Sequence, residues 1–276
     1  MTSKRIFTFW EPRQNIPGYI QMCMKTWTKH LSDYEIVVLD YNNLYDWLSK
    51  KTINKILEKK MDLAMQSDCI RCAILREYGG IWIDADTVIT SSDVFEIISK
   101  TQCHMIGRKS DKVLYGAFIY TAKPHTGFMD AWFKSLVKHV RQYRFCTRFR
   151  KFKFLFKGLY DKTRNWDWAV NAIIDAQIND FSAPEFDYTD KDVIGALPEL
   201  MTPAAQNISS PSDKIKLYQN FYFSDGPADK AIEHNRGIIL LHNSWTPLEY
   251  KRMSADDFMS TNTVLANTIK YAMGEK

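Results

Sequence analysis

One stretch limits what this chain can fold into more than any other: Ser67 to Thr87, SDCIRCAILREYGGIWIDADT. It reads as a helix, a glycine turn and a short strand that ends in two aspartates. Ser67 is placed as an N-cap, since its hydroxyl can accept from an orphaned backbone N–H of the first turn. Ile70, Ala73, Ile74 and Tyr78 recur at helical spacing and give one apolar face. Gly79 stops the helix, because glycine takes a positive φ without a Cβ clash, and Gly80 turns the chain back. Ile81-Trp82-Ile83 is a short run of β-formers suited to a buried strand.

The dimensions of this unit predict a site. A helix from Asp68 to Tyr78 is about 15 Å long, and the strand from Gly80 to Asp84 returns about 13 Å. If the two run antiparallel, the helix start and the strand end meet at one edge. Asp68 and Arg71, at i and i+3, share a helix face there. Asp84 and Asp86, two apart in an extended segment, point to one side. Three carboxylates and a guanidinium are therefore expected to converge. Converging carboxylates repel, and a hard divalent cation such as Mn²⁺ or Mg²⁺ relieves that, its shell completed by phosphate oxygens and water. Arg71, a rigid fork of donors, suits a diphosphate or a sugar hydroxyl. The plainer alternative is an ion pair on a helix surface followed by a polar turn. The strand–turn context of Asp84-Ala85-Asp86 argues against it.

SDxxR…YGGIWIDAD resembles the donor-site signature of glycosyltransferase family 32 and of the related capsular polysaccharide synthesis proteins. It is also similar to the glucosyltransferase domains of large bacterial cytotoxins. The resemblance implies a GT-A-like fold: α/β, a Rossmann-like, mainly parallel sheet flanked by helices. It further implies a UDP-sugar donor, Mn²⁺ or Mg²⁺, and retention of anomeric configuration. On the matching positions Asp84-Ala85-Asp86 becomes the metal and diphosphate contact, and Asp68 and Arg71 become donor-sugar contacts.

The 276 residues show no Pro/Gly/Ser linker and no internal repeat, so one domain spanning 1–276 is expected. A 45% apolar content supports a sizeable core. No apolar run reaches the ~18 residues that span a bilayer, and the N-terminus lacks a signal peptide's apolar segment, so a cytosolic location is expected. Five cysteines without regular spacing are not a disulfide framework. Cys69 and Cys72 spell C-x-x-C inside the helix and are read as packing residues. A net charge of +5 does not by itself point to nucleic acid.

Along the chain, Arg5 to Trp10 reads as a first strand, Gly18 to Leu31 as a helix and Glu35 to Leu39 as a second strand. This β-α-β unit argues for a parallel sheet. Ligands bind beyond the C-terminal strand ends of such sheets, which places Phe9, Trp10 and Asp40 near the same edge as Asp84 and Asp86; the resemblance implies that the first strand end lines the nucleotide site. Trp10 is either stacked on uracil or part of the core. Residues 43–65 read as helical. A polar turn and a short helix follow Asp86, then a strand over Val113–Thr121 and a helix over Gly127–His139.

Residues 141–164 form a basic, aromatic helical insertion with nine Lys/Arg, seven aromatics and one acid, Asp161. Phe145, Phe149, Phe152 and Phe156 fall on one helical stripe, flanked by Arg144, Arg148 and Lys151 on one side and by Lys153 and Lys157 on the other. Three readings compete. An interfacial helix on anionic membrane is favoured over phenylalanines packed on the sheet and over an RNA contact. A peripheral position at the inner face of the membrane follows from the first.

Trp166, Asp167 and Asn171 offer an aromatic face and polar groups to a sugar, and Asp167 joins Asp68 and Arg71 as a candidate catalytic residue. Residues 181–236, with five prolines, read as loop-rich. Ile238 to Leu241 is a buried strand with His242-Asn-Ser-Trp245 at its end. His242 is either a metal ligand beside Asp84 and Asp86 or a structural histidine. Ser244 and Trp245 are candidate diphosphate contacts. Residues 255–273 read as a C-terminal helix that covers the fold or serves a homo-oligomer. The function expected is transfer of a hexose, UDP-galactose or UDP-glucose favoured as donor, to a glycan in surface polysaccharide or glycoprotein synthesis. The rival is a non-catalytic scaffold that binds nucleotide or glycan.

Overall fold

The computed structural model of the protein describes residues 4–93, 95, 117–164, 210–232 and 237–275. In chain order the elements are β1 (Arg5–Phe9), α1 (Gly18–His30), β2 (Glu35–Leu39), α2 (Leu44–Trp47), α3 (Lys50–Ile56), α4 (Leu63–Tyr78), β3 (Gly80–Ile83), β4 (Thr87–Ile89), β5 (Phe118–Thr121), α5 (Gly127–Arg148), α6 (Lys157–Arg164), α7 (Pro211–Tyr222), α8 (Asp229–Ile232), β6 (Ile238–Leu240), α9 (Leu248–Arg252), α10 (Ala255–Met259) and α11 (Val264–Met273). They fall into two compact units. The described residues of the first lie within Met1–Glu11, Val37–Trp82 and Gln102–Thr189, and those of the second within Pro12–Ile36, Ile83–Thr101 and Asp190–Lys276.

The first unit carries a four-stranded sheet in the order β2-β1-β3-β5. β1 and β3 run parallel, with Ile6 opposite Ile81 and Phe7 opposite Trp82. This is the mixed α/β, mainly parallel and helix-flanked architecture expected from the sequence. α4 packs on β1, and α5 packs on α3 and α4. Phe7, Leu39, Ile70, Ile74, Trp82, Phe128, Trp132 and Leu136 share the resulting core.

α4 begins earlier than Ser67. Asp62 is its N-cap and accepts from the Met65 N–H at 2.9 Å, so Ser67 lies inside the helix. The helix is also more deeply covered than a single apolar face implies, since every residue from Asp68 to Leu75 is buried. Residues 43–65 are not one helix either: α2 and α3 are separate, and Ser49 caps the second through the Thr52 N–H.

The glycine pair behaves as read. Gly79 ends α4 with φ 65°. Gly80 has φ 94°, and a Cβ there would stand 2.8 Å from the Arg5 carbonyl oxygen, a backbone atom that cannot swing away. Gly80→Ala is therefore expected to cost roughly 2–4 kcal/mol, from positive-φ strain plus the clash with β1. Urea unfolding of the variant measures this.

The second unit is built around α1 and a two-stranded antiparallel ribbon, β4-β6. Thr87 pairs with Leu240, Val88 with Ile239 and Ile89 with Ile238. α1 packs on β4, where the Trp27 indole N–H donates to the Thr87 carbonyl at 2.6 Å and the Ile89 N–H donates to Thr26 Oγ1 at 2.9 Å. β4 stands where a polar turn is expected after Asp86, because Thr87-Val88-Ile89 is too short a run to announce itself as a strand; most of the short helix expected after that turn lies outside the described residues. The span expected to be loop-rich contains α7. Its Pro211 sits in the first turn, where a missing N–H does no harm, and Tyr218, Phe221 and Tyr222 form its buried face. The C-terminal helix is two helices, α10 and α11. The break between them is fixed by Thr263, whose side chain caps α11 through the Ala266 N–H.

Candidate functional site

In the first unit, Asp68 and Arg71 form an ion pair of 2.8 Å with side chains only 9% and 7% exposed. The guanidinium carbon lies 5.2 Å from the centre of the Trp82 ring. This is not the helix-surface pair of the plainer alternative. Burying two charges carries a desolvation cost that the pair's own attraction does not reliably repay, so a reason besides stability is called for. Flanking it in sequence, Cys69 and Cys72 are fully buried and unbridged, and burial pushes both thiols up from their ordinary range. Cys23 and Cys146 are buried as well. These four cysteines are expected to resist a disulfide-exchange reagent in the native protein at pH 8 and to react only after denaturation. Thiol titration with mass mapping checks this.

Also in this unit, Phe9 is buried and packs against Tyr41 at 5.6 Å between ring centres. The Tyr41 hydroxyl donates to Gln66 Oε1 at 2.6 Å. Trp10 is half-buried and its N–H donates to the Leu39 carbonyl at 3.0 Å. Asp40 closes the turn after β2, its Oδ1 accepting from the Asn42 and Asn43 N–H groups at 2.7 and 3.0 Å. That explains its carboxylate structurally, as an Asx-turn.

In the second unit, Asp84 to Thr87 is a turn rather than an extended segment, closed by the Thr87 N–H donating to the Asp84 carbonyl at 3.1 Å. Ala85 and Asp86 occupy its centre, and both are buried, whereas Asp84 is half-buried. The β4-β6 register then decides what Asp86 meets. With Thr87 opposite Leu240, the chain leaving β6 comes up beside the turn. The Asn243 N–H donates to Asp86 Oδ2 at 2.6 Å, and the Asn243 side-chain oxygen accepts from the Tyr19 hydroxyl at 2.6 Å. Burial first, and then the neighbouring Asp84 charge, push the Asp86 carboxyl up to about 7. The Asp86 charge in turn reinforces the upward shift that burial gives Tyr19, Cys23 and Tyr218. Burial lowers the Lys251 ammonium, and Asp86 partly offsets this.

His242, Ser244 and Trp245 follow β6, with the last two in a single 3-10 turn, Asn243–Trp245. The His242 ring packs on Trp245 at 4.2 Å and meets Tyr218 edge-on at 6.0 Å. Ser244 is exposed, and the Trp245 carbonyl accepts from the Gln219 side-chain amide at 2.8 Å. Among the described residues no set of three His, Cys, Asp or Glu side chains stands close enough to hold a metal. The donor set of the turn fits a hard divalent cation nonetheless. Asp86 is a buried carboxylate with a second carboxylate as neighbour, and Mg²⁺-type sites are commonly held by one or two carboxylates plus phosphate oxygens and water.

The structure thus brings Asp68, Arg71 and Trp82 together in the first unit, and Asp84, Asp86, His242 and Asn243 together in the second. Asn243 and Tyr19 are contributions that the sequence reading missed. Asn243 acts through its backbone N–H, which has no residue-type signature, although it lies inside the His242–Trp245 run at the end of β6. Asp167, with Trp166 and Asn171, lies outside the described residues.

The fold and these carboxylates define an α/β protein with an acidic turn directly after a buried strand. The model of the capsular polysaccharide synthesis protein family matches residues 1–181, and the chain belongs to that family. Among curated proteins none matches it. Among solved structures the chain is similar to one described as "PaToxG Glycosyltransferase", with 10% identity, 99% of this chain and 86% of that chain covered, and a TM-score of 0.42. A superposition that loose carries neither fold nor function across.

Proposed function

We propose that this chain is a GT-A-like, metal-dependent, retaining glycosyltransferase that moves a hexose from a UDP-sugar to a growing glycan, with UDP-galactose and UDP-glucose the favoured donors. The observation that carries this is Asp86: a carboxylate buried in the turn after β3, oriented by the Asn243 N–H, with Asp84 beside it. A carboxylate in that position is costly in the absence of a cation, and the family membership supplies the polysaccharide context.

In this reading Asp84 and Asp86 hold Mn²⁺ or Mg²⁺. A divalent ion so held supplies positive charge against the leaving diphosphate, where negative charge develops in the transition state. The Asn243 N–H fixes the direction of the Asp86 carboxylate, and Tyr19 holds Asn243 in place. Ser244 and Trp245 are assigned to the diphosphate, the first through its hydroxyl and the second through its indole N–H. Phe9 and Trp10 are assigned to the nucleotide. Asp68 and Arg71 are assigned to the donor hexose. The Asp68 carboxylate and the Trp82 ring hold the guanidinium in one orientation, which is what recognition of a sugar hydroxyl requires.

A panel of UDP-sugars incubated with the protein and Mn²⁺ tests the reading. Release of UDP from one or two donors and not the rest is the expected result. UDP binding with no release from any donor, with and without glycan acceptors, would instead identify a nucleotide-binding scaffold.

A further inference from the structure

The end of α5 and the turn after it form a surface that nothing in the transfer reaction uses. The expected single stripe of four phenylalanines does not exist. α5 ends at Arg148, residues Arg150–Phe156 follow as a 3-10 segment that kinks at Phe152, and α6 begins at Lys157. Phe149 and Phe156 fold against Phe145, with ring centres 4.8 and 5.4 Å away. Phe152, Phe154 and Leu155 project outward instead, 52%, 71% and 71% exposed.

The base of this projection is firmly rooted within the first unit. Tyr143 is buried and donates to the Lys60 carbonyl at 2.7 Å. Arg144 donates to the Asn54 and Leu57 carbonyls at 2.5 and 2.6 Å and pairs with Glu58 at 3.3 Å. It therefore closes the C-terminal end of α3 and is not one of the flanking cations that the sequence suggested. Of the other cations in the segment, Arg141, Arg148, Arg150, Lys151, Lys153 and Lys157 are all exposed. Among the described residues none of the six is in an ion pair, and no acid occurs between Asp130 and Asp161 in the sequence.

We propose that this tip docks the protein on an anionic lipid surface, with Phe152, Phe154 and Leu155 entering the headgroup boundary and the six cations meeting lipid phosphates. Three features favour lipid over other occupants. The most exposed side chains are wholly apolar and include an aliphatic leucine, which inserts into acyl chains but offers no stacking face to a base. The charge is of one sign, complementary to an anionic headgroup layer, and long Lys and Arg stems lie along the boundary while their charged ends reach phosphate. The apolar tip is a few side chains wide and is interleaved in sequence with exposed cations, Arg150, Lys151, Lys153 and Lys157, so a second copy of the same surface would bring like charges face to face. No described helix is long and apolar enough to cross a membrane, so the contact proposed is peripheral.

Flotation of the full chain with phosphatidylglycerol/phosphatidylcholine vesicles is the test, run beside the triple variant Phe152→Ser/Phe154→Ser/Leu155→Ser and the variant Lys151→Gln/Lys153→Gln. The wild type is expected to float at low salt and largely to stop doing so at about 0.5 M NaCl, and not to float with phosphatidylcholine alone. The lysine variant should partition about fivefold less for each charge removed. The triple variant should not float, yet should melt within a few degrees of wild type, because exposed side chains contribute little to folding. Failure of the wild type to float would overturn the proposal. So would flotation retained in the triple variant, or a sharp drop in its melting temperature, which would make these residues core. Salt-sensitive binding to polyuridylate without flotation would assign the surface to RNA. Self-association of the wild type that the triple variant abolishes, again without flotation, would assign it to a second copy.

Discussion

Asp86→Asn is expected to abolish sugar transfer while making the metal-free protein more stable. The two effects have one source. Asp86 is buried, and its carboxyl is pushed up to about 7, chiefly by burial and then by Asp84. A carboxylate raised in the folded state destabilises that state once it ionises. The native protein therefore loses stability as pH rises from about 4, where the unfolded chain's group ionises, to about 7, and the deficit persists above that. Its size is on the order of 4 kcal/mol. Asparagine keeps the shape and still accepts from the Asn243 N–H, but it carries no charge. Melting in EDTA should accordingly show the variant above wild type at pH 8, with the gap closing toward pH 4. Turnover should fall by about 10²–10³-fold or more, since the charge proposed to hold a divalent ion is gone. A variant that melts below wild type at pH 8 would mean that the charged form is favourably held in the metal-free fold.

Arg71→Ala is expected to destabilise the fold even more than Gly80→Ala. It removes the guanidinium that now stands 2.8 Å from the buried Asp68 carboxylate, and with it the cation over Trp82. Breaking a buried pair from one side costs roughly 3–5 kcal/mol. Replacing both members with apolar residues, Asp68→Leu with Arg71→Met, should recover most of that loss, because both buried charges are removed together. The double variant should fold and yet fail to transfer sugar if the pair is kept for the donor. Urea unfolding of both variants, beside a transfer assay on the double variant, separates the two roles. A cost under about 1 kcal/mol for Arg71→Ala would show that the pair is better hydrated than its burial implies.

What the sequence made legible follows from the range of the forces involved. β1, β2, β3 and β6 are short apolar runs with clear polar or glycine boundaries, and the chain places them within a residue or so of where they read. The Gly79-Gly80 turn is equally local. The start of α4 was not legible, because Asp62 and Ser67 are both good caps and only the packing of Met65 and Gln66 chooses between them. β4 was missed because its three residues become a strand by pairing with β6, some 150 residues away in sequence. The same long-range pairing brings Asn243 to Asp86, so the aspartates were readable but the groups that orient them were not. In the basic aromatic segment the composition was plain and the geometry was not. No glycine or proline marks the end of α5 at Arg148, and nothing local distinguishes Arg144, which bonds α3, from the cations around it.

The central claim is that Asp84 and Asp86 hold a divalent ion on which sugar transfer depends. Turnover of the best UDP-sugar donor, measured in saturating EDTA and again after Mn²⁺ is restored in excess, tests it most directly. The expected result is loss of activity with EDTA and full recovery with Mn²⁺, and no recovery in Asp86→Asn. Undiminished turnover in saturating EDTA would contradict it.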